Sequence, residues 1–241
     1  IASVYSRLQK YDLIVQWLRK GVMAVPRSAQ LYRLLGLSLI YEKGDFDQGL
    51  LALQQGLSLT PPVTALHREI LGRIDHAKSR REIESRLQLL LKGKLKNATE
   101  KEKLMLARHA FHYGHRFYLS ASIAKPIIEK NADLVQDPTT GNRDFAARAL
   151  IRSANGDGPD ATLLTAMERT EWRQLGLKWL QAELALWKKR GGLRASTAIR
   201  AWMTIPAFES VREPSALQKL PEKERKAWEQ FWNDVRKLVI E

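Results

Sequence analysis

The sequence has no cysteine. That excludes a disulfide framework, thiolate catalysis and every zinc site built on sulfur ligands. It also has no apolar run close to the roughly 18 residues that a membrane-spanning helix requires, and its start, IASVYSRLQKYDL, lacks the basic segment, apolar core and cleavage site of an export signal. A cytoplasmic chain that does not insert into membranes is expected. Ile1 stands in place of Met, within a helical pattern, so an N-terminal portion is expected to precede it. Strand signals are missing too: no stretch alternates β-branched and polar residues between turn signals. The expected fold class is all-α. No nucleophile, base and orienting group fall at a telling spacing, so the residues given are expected to carry neither catalysis nor a cofactor.

What is abundant is positive charge. Lys and Arg number 40 against 26 Asp and Glu, a net charge of +14. Such a field attracts nucleic acid, anionic surfaces and acidic proteins alike, so composition does not choose among them.

Proline, glycine and Asx punctuation divides the first part of the chain into short helical patterns. Residues 11–25 keep Leu13, Trp17, Leu18 and Gly21 at helical spacing before Pro26; 29–42 end at Lys43-Gly44-Asp45; 46–59 run into Pro61-Pro62. Pro26 and Pro61 lie 35 residues apart. Tyr11-Asp12 precedes the first proline as Phe46-Asp47 precedes the second, and Gly21 and Gly56 each stand five residues before them. With Tyr32, Leu35-Gly36, Gly49 and Leu53, this pattern resembles the tetratricopeptide (TPR) repeat, a helix pair of about 34 residues. Small residues let two helix backbones approach, and proline ends the second helix. One full copy spans 29–61 and 1–26 resembles a truncated one; a third begins at Val63 with Leu71-Gly72, but its second half dissolves into KSRREIESRLQLLLKGKLK. The resemblance implies an α-solenoid over 1–96 whose first helices line a groove for a protein segment. Arg33, Leu37 and Arg73, facing away from the Leu-Gly packing side, are the groove candidates.

Beyond that region, Thr99 followed by Glu102 is a capping-box signature that opens a helix to about Gly114. Residues 117–131 read as its partner, with Pro126 at a kink or break, and 142–153 are alanine-rich and helical. Together 97–155 are expected to be degenerate helical repeats. After the loop ANGDGPDA, a helix over 165–190 places Trp172, Leu175, Trp179, Ala182 and Leu186 at core spacing. Shorter 194–204 follows, and a last helix from Pro221 carries Trp228, Phe231, Trp232, Val235, Leu238 and Val239 on one face. Six of the seven tryptophans fall between Trp172 and Trp232, so 165–241 are expected to form a Trp-rich cap, with the last helix docked on the helix bearing Trp172 and Trp179.

The closing segment carries a second resemblance. Trp179-Leu180, Glu183-Leu184, Trp202, Val211-Arg212, Pro214, Ala216-Leu217, Leu220-Pro221, Glu224-Arg225, Trp228, Trp232 and Asp234-Val235 are similar, in order and spacing, to the C-terminal end of the TPR regions attached to planctomycete serine/threonine protein kinases. The match departs at NRDFAARALIRSA, where family members usually read HRYNAACAAALAA. It implies a helical scaffold linked to a kinase or another signalling domain in the full-length protein. The kinase itself is not in this segment, which has no Gly-rich loop, Val-Ala-x-Lys strand, His-Arg-Asp loop or Asp-Phe-Gly.

The remaining chemistry-bearing residues have plainer readings. His109, His112 and His115 form the one histidine cluster; His109 and His112 share a helix face that suits two metal ligands, yet no third ligand is spaced to complete a site, so they are expected to be ordinary helix-surface histidines. Gly156 to Pro159 lack the alternating acids of a calcium loop and read as a turn. The basic run over 73–103 has no interleaved aromatics for base stacking and is interrupted by Glu82, Glu84, Glu100 and Glu102. It reads first as a solvated face or linker, next as a surface for an acidic protein, and last as a module binding nucleic acid nonspecifically. The functional expectation is a noncatalytic scaffold that binds a protein or peptide segment, with an acidic one favoured by the charge.

Overall fold

A computed structural model describes residues 11–240, and their regular structure is helical throughout, with no strand among them. The chain divides into two compact units between Arg116 and Phe117. The part of the truncated first repeat before Tyr11 lies outside the described residues.

The first unit opens with α1 (Tyr11–Ala24), α2 (Ala29–Lys43) and α3 (Phe46–Ser58). Their ends follow from local chemistry: the Ser28 hydroxyl accepts from the Leu31 amide at 3.3 Å, and the Asp45 carboxylate accepts from the Gln48 amide at 3.0 Å. The α2 and α3 backbones touch at their glycines. A Cβ on Gly36 would lie 2.7 Å from Leu53 Cγ and 2.8 Å from the Gly49 carbonyl oxygen, and one on Gly49 would overlap Ile40. The small-residue pattern therefore marks a real close approach. It lets Ile40, Phe46, Leu50 and Leu53 merge with Ile70, Ile74, Ala77 and Tyr113 into one core.

Helix α4 (Ala65–Leu91) departs from expectation. The stretch after Leu71-Gly72 does not dissolve; one helix of 27 residues continues to Leu91, and it packs against the next helix, over residues 100–112. Between Gly72 and Gly93 there is neither proline nor glycine, and Arg, Lys, Glu, Gln and Leu, all good helix formers, fill most positions. Gly93, at φ 66°, takes the left-handed conformation that ends it. Gly72 is exposed, and nothing lies within 4 Å of where its Cβ would be. Helix α5 (Glu100–His112) closes the unit, so the first helix of the 97–155 segment belongs here. Thr99 caps it at 3.1 Å from the Glu102 amide, but the Glu102 carboxylate takes Arg86 Nε at 2.7 Å instead of returning to the cap.

The second unit begins with α6 (Phe117–Lys130), which carries Pro126 within a continuous helix, and α7 (Asn142–Asn155). Helix α8 (Ala166–Arg190) starts with a complete capping box between Thr165 and Glu168. Its buried face differs from the expected one: Gly176, Leu177, Trp179, Leu180, Glu183, Leu184 and Trp187 are buried, whereas Ala182 is exposed and Trp172, Leu175 and Leu186 are half-buried. The contact with α7 sets this register, since Gly176 abuts Ile151 at a would-be Cβ distance of 3.0 Å. Trp172 instead stacks on Tyr118, centroids 5.4 Å apart.

The unit ends with α9 (Gly192–Trp202), a 3₁₀ turn at Pro206–Phe208, the single turns α10 (Glu209–Arg212) and α11 (Pro214–Leu217), and α12 (Glu222–Ile240). Trp228, Phe231, Trp232 and Val235 of α12 are buried as expected, but their aromatic partners are not Trp172 and Trp179. Phe231 packs 6.0 Å from Trp202, Trp232 packs 5.7 Å from Phe208, and the Trp232 indole donates to the Val211 carbonyl at 2.6 Å. Helix α12 also packs against α8, where Arg173 Nε meets Glu224 at 2.5 Å, both side chains largely buried. The tail thus docks on α8, as expected, and also on the short elements just before it.

Candidate functional site

Helices α2 and α4 share a face on which two of the three groove candidates meet. Arg33 and Arg73 converge on one carboxylate: Arg33 Nη1 lies 2.7 Å from Glu69 Oε1, and Arg73 Nη2 lies 3.9 Å from the same oxygen. Gln30 accepts from Arg33 Nε at 3.2 Å. Leu37, one turn on, is partly buried against the core cluster that α4 completes. Four residues further along α2 comes Tyr41, stacked on Tyr113 at 5.3 Å. On the α4 side His76 Nε2 is 3.1 Å from the Tyr113 hydroxyl. Burial lowers the His76 pKa, and the neighbouring Arg80 and Arg73 charges lower it further. Burial also raises the Tyr113 hydroxyl, with Tyr41 adding to the effect and Arg80 opposing it.

The face therefore carries Arg33, Arg73 and Arg80 against Glu69, with an apolar and aromatic wall of Leu37 and Tyr41. Tyr41, His76 and Arg80 were absent from the sequence-derived set. Their signal was present in the spacing: Arg33, Leu37 and Tyr41 recur every four residues, and Arg73, His76 and Arg80 every three or four.

Below this face lies a polar lock. Glu84 accepts from Arg116 at 2.9 and 2.6 Å and from Gln88 at 2.8 Å, and it meets His109 Nε2 at 3.0 Å. Burial opposes ionisation of Glu84, but hydrogen bonds from His109, Arg116 and Gln88, with the Arg116 charge, outweigh it and hold the carboxyl at about 2. His109 is only 3% exposed and clusters with Phe46 and Tyr113, centroids 5.5 and 4.7 Å away, the latter two being 5.4 Å from each other. It is thus a core residue, contrary to the surface reading; Leu106 and Tyr113, three and four positions away, belong to the same buried stripe. His112 is exposed. His115 has left the helix at φ 52°, stacks on Tyr11 at 4.4 Å and meets Glu42 at 2.8 Å. The three histidines serve three environments, and among the described residues no group of His, Asp and Glu is placed to hold a metal ion.

The basic run is threaded with carboxylates. Arg81 pairs with Asp47 at 2.7 Å, Arg86 with Glu102 and Lys103 with Glu100 at 2.9 Å. The acid of the Gly156 to Pro159 loop and the one that follows it serve the fold: Asp157 meets Arg152 at 2.8 Å, and Asp160 accepts from the Leu119 amide in the first turn of α6 at 2.9 Å. No described helix is long and apolar enough to cross a membrane.

The second unit buries a carboxylate of the opposite kind. Glu183 on α8 is 1% exposed and is reached by Arg143 only at 3.5 Å. Burial raises its carboxyl, Asp144 and Asp137 add to that, and Arg143 offsets part of it, leaving the group at about 7. No protein-family model matches the chain, and no curated protein matches it.

Proposed function

We propose that this chain is a noncatalytic helical-repeat scaffold of the TPR type that holds an acidic protein segment on the α2/α4 face. The convergence of Arg33 and Arg73 on Glu69 supports this most directly. The two guanidiniums already share one carboxylate in a half-exposed setting, so a carboxylate from a partner can replace Glu69 without burying a new charge alone. Leu37 and Tyr41 supply apolar contact beside them, and exposed Leu34 extends it. The ion pairs within the basic run weigh against the nucleic-acid reading, because each spent arginine or lysine is one fewer phosphate contact.

The test uses an array of acidic and charge-neutralised decapeptides, with hits titrated by calorimetry against the chain. An acidic peptide should saturate at one site, and Arg33→Glu or Arg73→Glu should weaken it at least tenfold, about 1.4 kcal/mol. Unchanged affinity in both variants overturns the groove. Attachment to a serine/threonine kinase domain is proposed on the closing-segment resemblance alone; the gene's reading frame upstream of Ile1 decides it.

A further inference from the structure

The second unit contains a cleft where α8 gives way to α9. Gly191 and Gly192, at φ 62° and 76°, turn the chain between the two helices, and the 3₁₀ turn at Pro138–Thr140 supplies another wall. The cavity measures about 590 Å³ and is lined by Thr139, Trp187, Leu193, Arg194, Thr197 and Ala198. This falls within the roughly 300–1,000 Å³ of small-molecule sites, which are mostly apolar with a few polar anchors.

Three features specify what fits. First, Trp187, Leu193 and Ala198 make the lining largely apolar, and Leu193 is 84% exposed, an apolar side chain left in water beside the opening. Second, the charges are unequal in their commitments. Arg190 is tied to Asp137 at 3.1 Å, whereas Arg194 makes no hydrogen bond or ion pair among the described residues. Third, the hydroxyls of Thr139 and Thr197 add short polar contacts and no charge. A cation is disfavoured by Arg190 and Arg194 together. A polyphosphate needs more cationic partners than one available arginine. A neutral apolar body leaves the Arg194 guanidinium beside it without a directly bonded anion, since Asp137 acts on it through its charge alone.

We propose that this cleft binds a small aromatic carboxylate, its rings against Trp187 and Leu193 and its carboxylate on Arg194. The pairing of planar fork and carboxylate is the geometry arginine favours, and the net charge of +14 concentrates such anions near the surface. The site is independent of the α2/α4 face, so either reading can fail alone.

The experiment titrates the full chain with 2-naphthoate by calorimetry and by ligand-observed saturation-transfer NMR, using 2-naphthamide as the neutral control. Saturable one-to-one binding with Kd below about 1 mM is expected for a ligand of this size. The amide and the Arg194→Glu variant should each bind at least tenfold more weakly. Thr197→Trp, at an exposed position, should fill the cleft and abolish binding while the helical circular dichroism and the melting temperature stay as in the parent. Lack of saturation up to about 5 mM overturns the proposal. So does equal binding of acid and amide, or undiminished affinity in Arg194→Glu with unchanged melting.

Discussion

Glu84, half-buried in the first unit, and Glu183, buried in the second, each lie beside an arginine, yet their carboxyls end about five pH units apart. Glu84 is held at about 2, Glu183 at about 7. Both are desolvated, so burial does not separate them. The arginine geometry does: Arg116 reaches Glu84 with two nitrogens at 2.9 and 2.6 Å, supported by Gln88 and His109, whereas Arg143 reaches Glu183 with one nitrogen at 3.5 Å and Asp144 and Asp137 lie nearby. A fork of short bonds recovers the desolvation cost of the anion; one long contact does not. The packing differs in parallel, since glycines bring α2 and α3 together in the first unit and large rings close the second.

The largest effect is expected where the second unit depends on its rings. Trp232→Ala removes a side chain 1% exposed, leaves a cavity among Phe208 and Phe231, and strands the Val211 carbonyl, a cost of about 3–5 kcal/mol. The unfolding midpoint should fall sharply. Affinity for an acidic peptide, measured well below that midpoint, should change little because the proposed face lies in the other unit. Native stability with lost binding would make the tail the interaction site.

The ionised glutamate comes next. Glu84→Gln deprives Arg116 and His109 of their anion and should cost about 2–3 kcal/mol near neutral pH, within the range for breaking a buried pair after allowance for its partial exposure. Because the folded pKa lies below the unfolded 4.5, this stabilisation is present above about 4.5 and is lost as pH falls toward 2. Urea unfolding at pH 6 and pH 3 should show the parent losing more stability on acidification than Glu84→Gln does. Equal losses would mean that Glu84 is not held as an anion.

Glu183 predicts the opposite slope. Its folded pKa of about 7 exceeds the unfolded 4.5, so between those values the folded state keeps a proton the unfolded state releases, and stability declines as pH rises through the window. Glu183→Gln keeps the shape without the charge. It should raise stability at pH 8 by about 1–3 kcal/mol and have little effect at pH 4. A uniform destabilisation at both pH values would show that the Arg143 contact outweighs burial after all.

These outcomes also bear on what the sequence makes legible. Helix positions followed from local punctuation: Pro26, Gly44, Pro61 and Gly191, with Thr64, Thr99 and Thr165 at the starts. The close approach at Gly36 and Gly49 followed from residue size. What was not legible depends on partners distant in the chain. Nothing near His109 announces Glu84, 25 residues earlier, and nothing in α12 favours Trp202 and Phe208 over Trp172 and Trp179. The same periodicity admits two neighbouring faces of α8, and the contact of Gly176 with Ile151 selects one. For the candidate face, Arg33 and Arg73 could be named from the repeat pattern, but their common carboxylate Glu69 could not.

The smallest expected effect tests how far that repeat pattern extends. If Leu71-Gly72 worked as Leu35-Gly36 does, a methyl group at either glycine would collide with a neighbouring helix. The structure separates them: a Cβ at Gly36 would be 2.8 Å from the Gly49 carbonyl oxygen, a backbone atom that moves only with its helix, whereas Gly72 has open space. Gly72 lies inside α4 without a positive φ, so alanine there restricts the unfolded chain and strains nothing. Gly72→Ala should therefore raise stability by up to about 1 kcal/mol. Gly36→Ala should lower it by about 1–3 kcal/mol, the usual cost of overpacking. Paired chemical melts read both signs directly. Destabilisation by Gly72→Ala would mean that a second helix packs against α4 at that point.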